Sequence, residues 1–162
     1  MVEFEESGME FSFPDERCFH IEKSKEYRKL GARGIRTVEC IYCSNRRYVF
    51  FIEAKSSAPR DNEGLKEYLD RLYEKNLHSI LMLTKRIFDM EKAGIGNELW
   101  EKLRNKPVFR FVLIIKGFRE DWCMDIQEVF RDKMKNVLRI YDADVLVIND
   151  EAARKKKWIK EQ

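Results

Sequence analysis

The chain has 162 residues, 44% of them hydrophobic and 38% charged, with 32 basic against 29 acidic side chains. That length suits one domain, residues 1–162, able to bury a core without a disulfide or metal staple. The apolar content argues against global disorder, and no apolar run reaches the ~18 residues of a membrane helix, so no membrane partner is expected.

The net charge of +3 is too small to imply a partner, because the distribution of charge matters more than its total. The acidic opening segment Met1–Glu6 lacks a secretory signal pattern. Cys18, Cys40, Cys43 and Cys123 form no recognisable disulfide framework, which leads to the expectation of reduced thiols in a cytoplasmic protein.

Seven glycines and three prolines predict long elements and few loops. Alternation around Phe11 and Phe13, and around Phe19 and Ile21, predicts short strands. Ser24–Leu30 reads as one or two helical turns. After the Gly31–Gly34 break, Ile35–Cys43 is β-rich and reads as a strand, and Tyr48–Ala54 as a second. The short Ser44–Arg47 turn between them predicts an antiparallel hairpin.

A long helix is expected over Glu63–Lys92, its buried stripe carried by Leu65, Leu69, Leu72, Ile80, Leu83 and Ile87, with Asn76 its one polar member. Glu98–Leu103 adds a short helix. Val108–Ile115 is an apolar run suited to a central strand covered on both faces. Asp121–Leu138 reads as a helix, Ala143–Ile148 as a strand, and Asp150–Gln162 as a basic terminal helix. The order predicts an α/β layered domain: a central mixed β-sheet flanked by helices, preceded by an N-terminal β-hairpin region.

The chemistry concentrates on the hairpin strands. Glu53 and Lys55 are two apart and share a strand face. Glu39 lies 14 residues before Glu53, a separation that a hairpin brings back alongside. Burying two acids and a lysine is costly unless they pair or bind a cation. Converging carboxylates offer the hard oxygen ligands that Mg²⁺ prefers, and a lysine can serve the attacking water or the developing phosphate charge.

The segments Val38-Glu39-Cys40-Ile41 and Phe51-Ile52-Glu53-Ala54-Lys55-Ser56-Ser57 resemble the PD-(D/E)xK nuclease superfamily, in which an acid on one strand precedes an acid-x-lysine on the next. The resemblance covers roughly residues 20–116 in element order. It implies a restriction-endonuclease-like core and metal-dependent hydrolysis of nucleic-acid phosphodiesters with Mg²⁺ or Mn²⁺. Glu39, Glu53 and Lys55 would then be catalytic, with Glu39, Glu53 and the Ala54 carbonyl holding the metal. Glu39 stands where an Asp is usual, and Val38 where a proline is. An upstream acid of the family would be Glu22 or Glu26. The literal dipeptide Pro14-Asp15 falls in a turn 38 residues before Glu53 and is set aside. The alternative is a non-catalytic interaction module of the same fold, acting as a homodimer, in which the three charges form an ion pair or surface cluster.

Arg46 and Arg47 at the hairpin turn are candidate nucleic-acid contacts, or simply turn residues. In the basic tail, Lys155, Lys156 and Lys157 could meet phosphates while Trp158 stacks on a base; otherwise the lysines are solvated and Trp158 packs on the core with Ile159. Cys40-x-x-Cys43 is half a zinc motif, but a strand sends its two side chains to opposite faces. His20 and His78 are isolated, and Gly31–Gly34 lacks the Lys-Ser/Thr of a phosphate loop.

Overall fold

Alternating side chains in Val2–Glu6 (β1) and Met9–Phe13 (β2) form an antiparallel hairpin, closed at Ser7-Gly8, both with positive φ. The structure, a computed structural model, describes residues 1–161. Cys18–Phe19 (β3) is a two-residue edge strand. Ile21–Lys23 makes a single 3₁₀ turn before Lys25–Gly31 (α1), whose N-terminus is capped by the Ser24 hydroxyl accepting from the Tyr27 amide. Cys40–Cys43 (β4) and Tyr48–Lys55 (β5) complete an antiparallel run with β3.

Asn62–Phe88 (α2) starts where the Asp61 carboxylate accepts from the Gly64 amide at 2.6 Å, a cap that satisfies a free helix-end donor. It ends four residues before the expected Lys92. Met90 takes a left-handed φ of 57°, and the buried Arg86 guanidinium turns back onto the Glu91 and Ala93 carbonyls. Asn97–Leu103 (α3) leads to Val108–Ile115 (β6), then Glu120–Tyr141 (α4), Asp144–Asn149 (β7) and Asp150–Lys155 (α5).

The main sheet has the order β3-β4-β5-β6-β7, with β5, β6 and β7 parallel. The fold is thus α/β with a mixed sheet, as expected. Strand alternation divides the core. Val49, Phe51, Phe111 and Leu113 face α2 and α4, which contribute Leu69, Leu72, Ile80, Phe130 and Met134. Ile52, Ala54, Val112 and Ile114 face the other way, under Phe11 and Phe13 of the β1–β2 hairpin and Trp158. Cys40 and Cys43 fall in these two different clusters.

Two expected elements are shorter than their composition suggests. Only Cys40–Cys43 of the Ile35–Cys43 run is strand. Its neighbour β3 has just two residues, so the preceding segment has no ladder to join. It docks on α2 instead: the Val38 amide donates to Ser79 Oγ (2.9 Å) and the Arg36 amide to His78 Nδ1 (3.2 Å). The terminal helix ends at Lys155. Lys157 turns left-handed, and the chain returns to the hairpin, where the Ser12 amide donates to the Trp158 carbonyl and the Lys160 amide to that of Glu10. Burial of Trp158 and Ile159, each 5% exposed, outweighs another helical turn. Gln162 lies outside the described residues.

Gly96 is required by close approach. A Cβ there would collide with the backbone of Asp15 and Glu16, at the point where α3 meets the 3₁₀ turn Asp15–Arg17.

Candidate functional site

Glu39 occupies a bend immediately before β4 rather than a strand position. Its amide donates to the Ile52 carbonyl at 3.0 Å, so Glu39 sits against the Cys40↔Ile52 end of the ladder, one residue from Glu53. Glu53 and Lys55 alternate with Ile52 and Ala54 and therefore share the helix-facing side with Phe51. Lys55 Nζ lies 2.5 Å from Glu53 Oε1. Glu39, Glu53 and Lys55 thus converge.

The site contains more than these three. Lys75, from the middle of α2, reaches Glu53 Oε1 at 2.7 Å and Glu39 Oε1 at 3.7 Å. Glu22, from the 3₁₀ turn, and Glu6, from the end of β1, bring carboxylate oxygens within 4.8 Å of each other and of a Glu39 oxygen. Four carboxyl groups and two ammonium groups meet here, so two of the acids have no matching cation within the cluster.

Burial is nearly complete for the central acids, with Glu39 at 3% and Glu53 at 1% exposure. Loss of water pushes the Glu39 carboxyl far above the usual carboxylate range, and the neighbouring Glu53 charge and the Glu22 carboxyl push it further; Lys75 only partly opposes this. Lys75 is raised despite its own desolvation, because Glu53 and Glu39 stabilise its charge. Tyr68, earlier on α2, has a phenol raised by burial and then by the Glu53 charge. The Tyr68 hydroxyl and Glu53 Oε2 are both buried without a hydrogen-bond partner. Orphaned polar atoms beside an unbalanced acidic cluster suit an added cation or its water.

The other sequence candidates are scattered. Of the two upstream acids, Glu22 joins the cluster, whereas Glu26 pairs with Arg86 at 3.2 Å. The Ala54 carbonyl accepts from Ser7 Oγ at 3.1 Å. Arg46 and Arg47 precede β5, at the end of the strand opposite Lys55, roughly 25 Å away at ~3.3 Å per residue. Their carbonyls are engaged by Lys102 and by the Val108 amide. Trp158 is no stacking platform: its ring packs 5.0 Å from Phe50 and 6.2 Å from Tyr42, because the sheet face under the hairpin would otherwise be wet. Lys155, Lys156 and Lys157 flank that buried ring at the chain's end, with Lys156 Nζ 5.5 Å from it.

Sequence reasoning missed Lys75 and Glu6. Lys75 had a signal, since Tyr68, Leu72, Lys75 and Ser79 follow the four-three-four spacing of one helix flank. Glu6 had none, because only the docking of the hairpin carries it to Glu39.

Comparison with protein-family models, with curated proteins and with solved structures finds no match to this chain. Among the described residues, no helix is long and apolar enough to cross a membrane.

Proposed function

We propose that this chain is a restriction-endonuclease-like domain of the PD-(D/E)xK kind that binds Mg²⁺ or Mn²⁺ and hydrolyses phosphodiester bonds of nucleic acid. The observation that carries the reading is the convergence of Glu39 and Glu53 on Lys75 Nζ, at 3.7 and 2.7 Å, with Lys55 Nζ 2.5 Å from Glu53. The element order supports it: three antiparallel strands, then α2, then a parallel β6.

The donors fit a hard divalent cation, since Glu22 and Glu39 bring carboxylate oxygens within 4.8 Å of each other and the neighbouring Glu53 has one buried oxygen without a partner. Such a cation, when bound, polarises the phosphoryl oxygen and lowers the pKa of a bound water. The chain's own part is positional. Lys75 fixes the Glu53 carboxylate from the helix side, and Lys55, with its side chain 31% exposed, is the cation that a backbone phosphate entering from solvent meets first.

Nucleic acid is also suited to the rim beyond Lys55. The loops after β5 and β6 bring Arg60 over the Trp122 ring at 3.8 Å and Arg119 to 5.3 Å, an aromatic and cationic surface at the same end of the sheet as the acids. Lys116 follows β6 there, its amide on the Lys55 carbonyl.

The second reading is a non-catalytic module of the same fold. It is favoured by the near-complete burial of Glu39 and Glu53 and by the engagement of the Ala54 carbonyl.

The deciding experiment incubates single- and double-stranded DNA and RNA with the protein in Mn²⁺, Mg²⁺ or EDTA. Metal-dependent cleavage that Glu53→Ala and Lys55→Ala each abolish is the expected result. Cleavage unchanged in both variants refutes the assignment, and no cleavage of any substrate turns the choice to the second reading.

A further inference from the structure

The N-terminal hairpin does more than cover the sheet. Phe11 and Phe13 anchor it on the face opposite α2, yet its tip bends over the sheet end to the acids on the other side. The tip is held at two points. Ser7 Oγ donates to the Ala54 carbonyl at 3.1 Å, and Lys116 Nζ donates to the Gly8 carbonyl at 2.7 Å. Ser7 adopts φ 54°, a left-handed conformation uncommon outside glycine. These contacts span 47 and 108 residues of sequence, so the tip is seated by tertiary structure.

Seating the tip there brings a third carboxylate into an already acidic pocket. Glu6 gains no cation by it; the hydrogen bonds its carboxylate has here come from the Ser7 amide and hydroxyl, both at 3.1 Å. The two lysines of the site reach Glu53 and Glu39 instead. Beside this group Glu53, 1% exposed and joined to Glu39 through Lys75 Nζ at 2.7 and 3.7 Å, leaves its Oε2 without a partner. A buried, unpaired carboxylate oxygen next to three clustered carboxylates is costly unless a proton or a cation is shared among them, and a divalent cation satisfies several at once.

We infer that Glu6 is a ligand to the divalent cation, completing with Glu22 and Glu39 a site assembled from the hairpin tip, the 3₁₀ turn and the start of β4. This rests on the proposed metal-dependent reading and deepens it. It moves the cation toward the upstream acids, away from the Ala54 carbonyl that Ser7 holds, and makes seating of the hairpin a condition of metal binding.

Mn²⁺ titration of the full chain, followed by calorimetry and by the loss of the free-ion electron paramagnetic resonance signal, tests it. Loss of one carboxylate ligand should weaken Mn²⁺ by at least ~10-fold in Glu6→Gln, which keeps the acceptor for Ser7. The neighbouring Glu5→Gln, on the exposed side of β1, should bind like wild type. Glu6→Asp keeps the charge but withdraws it by one methylene and should also weaken binding. It serves as the second variant if Glu6→Gln melts early in EDTA. Wild-type affinity in Glu6→Gln or Glu6→Asp, with Glu39→Gln losing the metal, overturns the role of Glu6 and leaves the nuclease reading intact. No Mn²⁺ binding by wild type overturns both.

Discussion

Replacing Lys75 by Met tests how the buried charges hold one another. Lys75 Nζ sits 2.7 Å from Glu53 Oε1 and 3.7 Å from Glu39 Oε1, with 19% of its side chain exposed. At an effective dielectric of ~20, each such contact is worth about 4–6 kcal/mol before solvation. Taking the ammonium out of water cancels much of that, and breaking a buried pair typically costs about 3–5 kcal/mol. Glu53 keeps Lys55 as a partner, so the expected loss in Lys75→Met is nearer ~2 kcal/mol, measured by urea denaturation in EDTA. A double-mutant cycle with Glu53→Gln isolates the pair, with a coupling of about 1–2 kcal/mol expected for residues in contact. The same variant adds a net negative charge to the cluster and should bind Mn²⁺ more tightly than wild type. A stability within ~0.5 kcal/mol of wild type together with unchanged Mn²⁺ affinity would refute the reasoning, since that is the range of a surface substitution.

Glu39, pushed up to about 10 in the folded chain from 4.5, keeps a proton that the unfolded chain releases. The contribution of this group to metal-free stability is therefore fully present below about pH 4.5 and is lost as pH rises toward 10. Urea titrations across this window should show the decline, and Glu39→Gln should flatten it. His20, lowered to about 4 by burial and Lys23, works in the opposite direction. Its neutral ring costs stability as pH falls from 6.5 toward 4, and His20→Phe should remove that acid-side slope in the same titrations. Trp158→Ala empties a site against Tyr42 and Phe50 and should lower stability by about 3–5 kcal/mol in denaturant melts while leaving nucleic-acid affinity unchanged. Gly96→Ala forces a Cβ against the Asp15 and Glu16 backbone, and its thermal midpoint should drop by several degrees, a shift corresponding to about 1–3 kcal/mol for overpacking.

Wherever a residue pattern is enforced by water, the sequence is readable. Val108–Ile115 is apolar at seven of its eight positions because both its faces are covered, and it forms a strand over those residues. α2 and α4 follow their apolar stripes to within a few residues. The Glu39–Glu53–Lys55 set is readable for a related reason. A short turn brings Glu39 back beside the end of the ladder next to Glu53, and strand alternation aligns Glu53 with Lys55. Expectation and structure part where local propensity loses to a distant contact. Ile35–Val38 has strand composition, yet β3 is too short to pair with it and α2 supplies Ser79 and His78 as partners. The basic tail has helical composition, but Trp158 and Ile159 gain more by closing the hairpin face.

From the sequence alone came the α/β class, the mixed sheet and the three charges of the β4–β5 region, because periodicity and short-range pairing act within a few dozen residues. Tertiary structure alone decided that Lys75 reaches across from α2, that Glu22 rather than Glu26 faces Glu39, and that Glu6 arrives from the far side of the sheet. Each of those choices depends on where a whole element docks. Docking is set by the fit of two apolar faces, to which a charged side chain at the rim contributes almost nothing until it is carried into place.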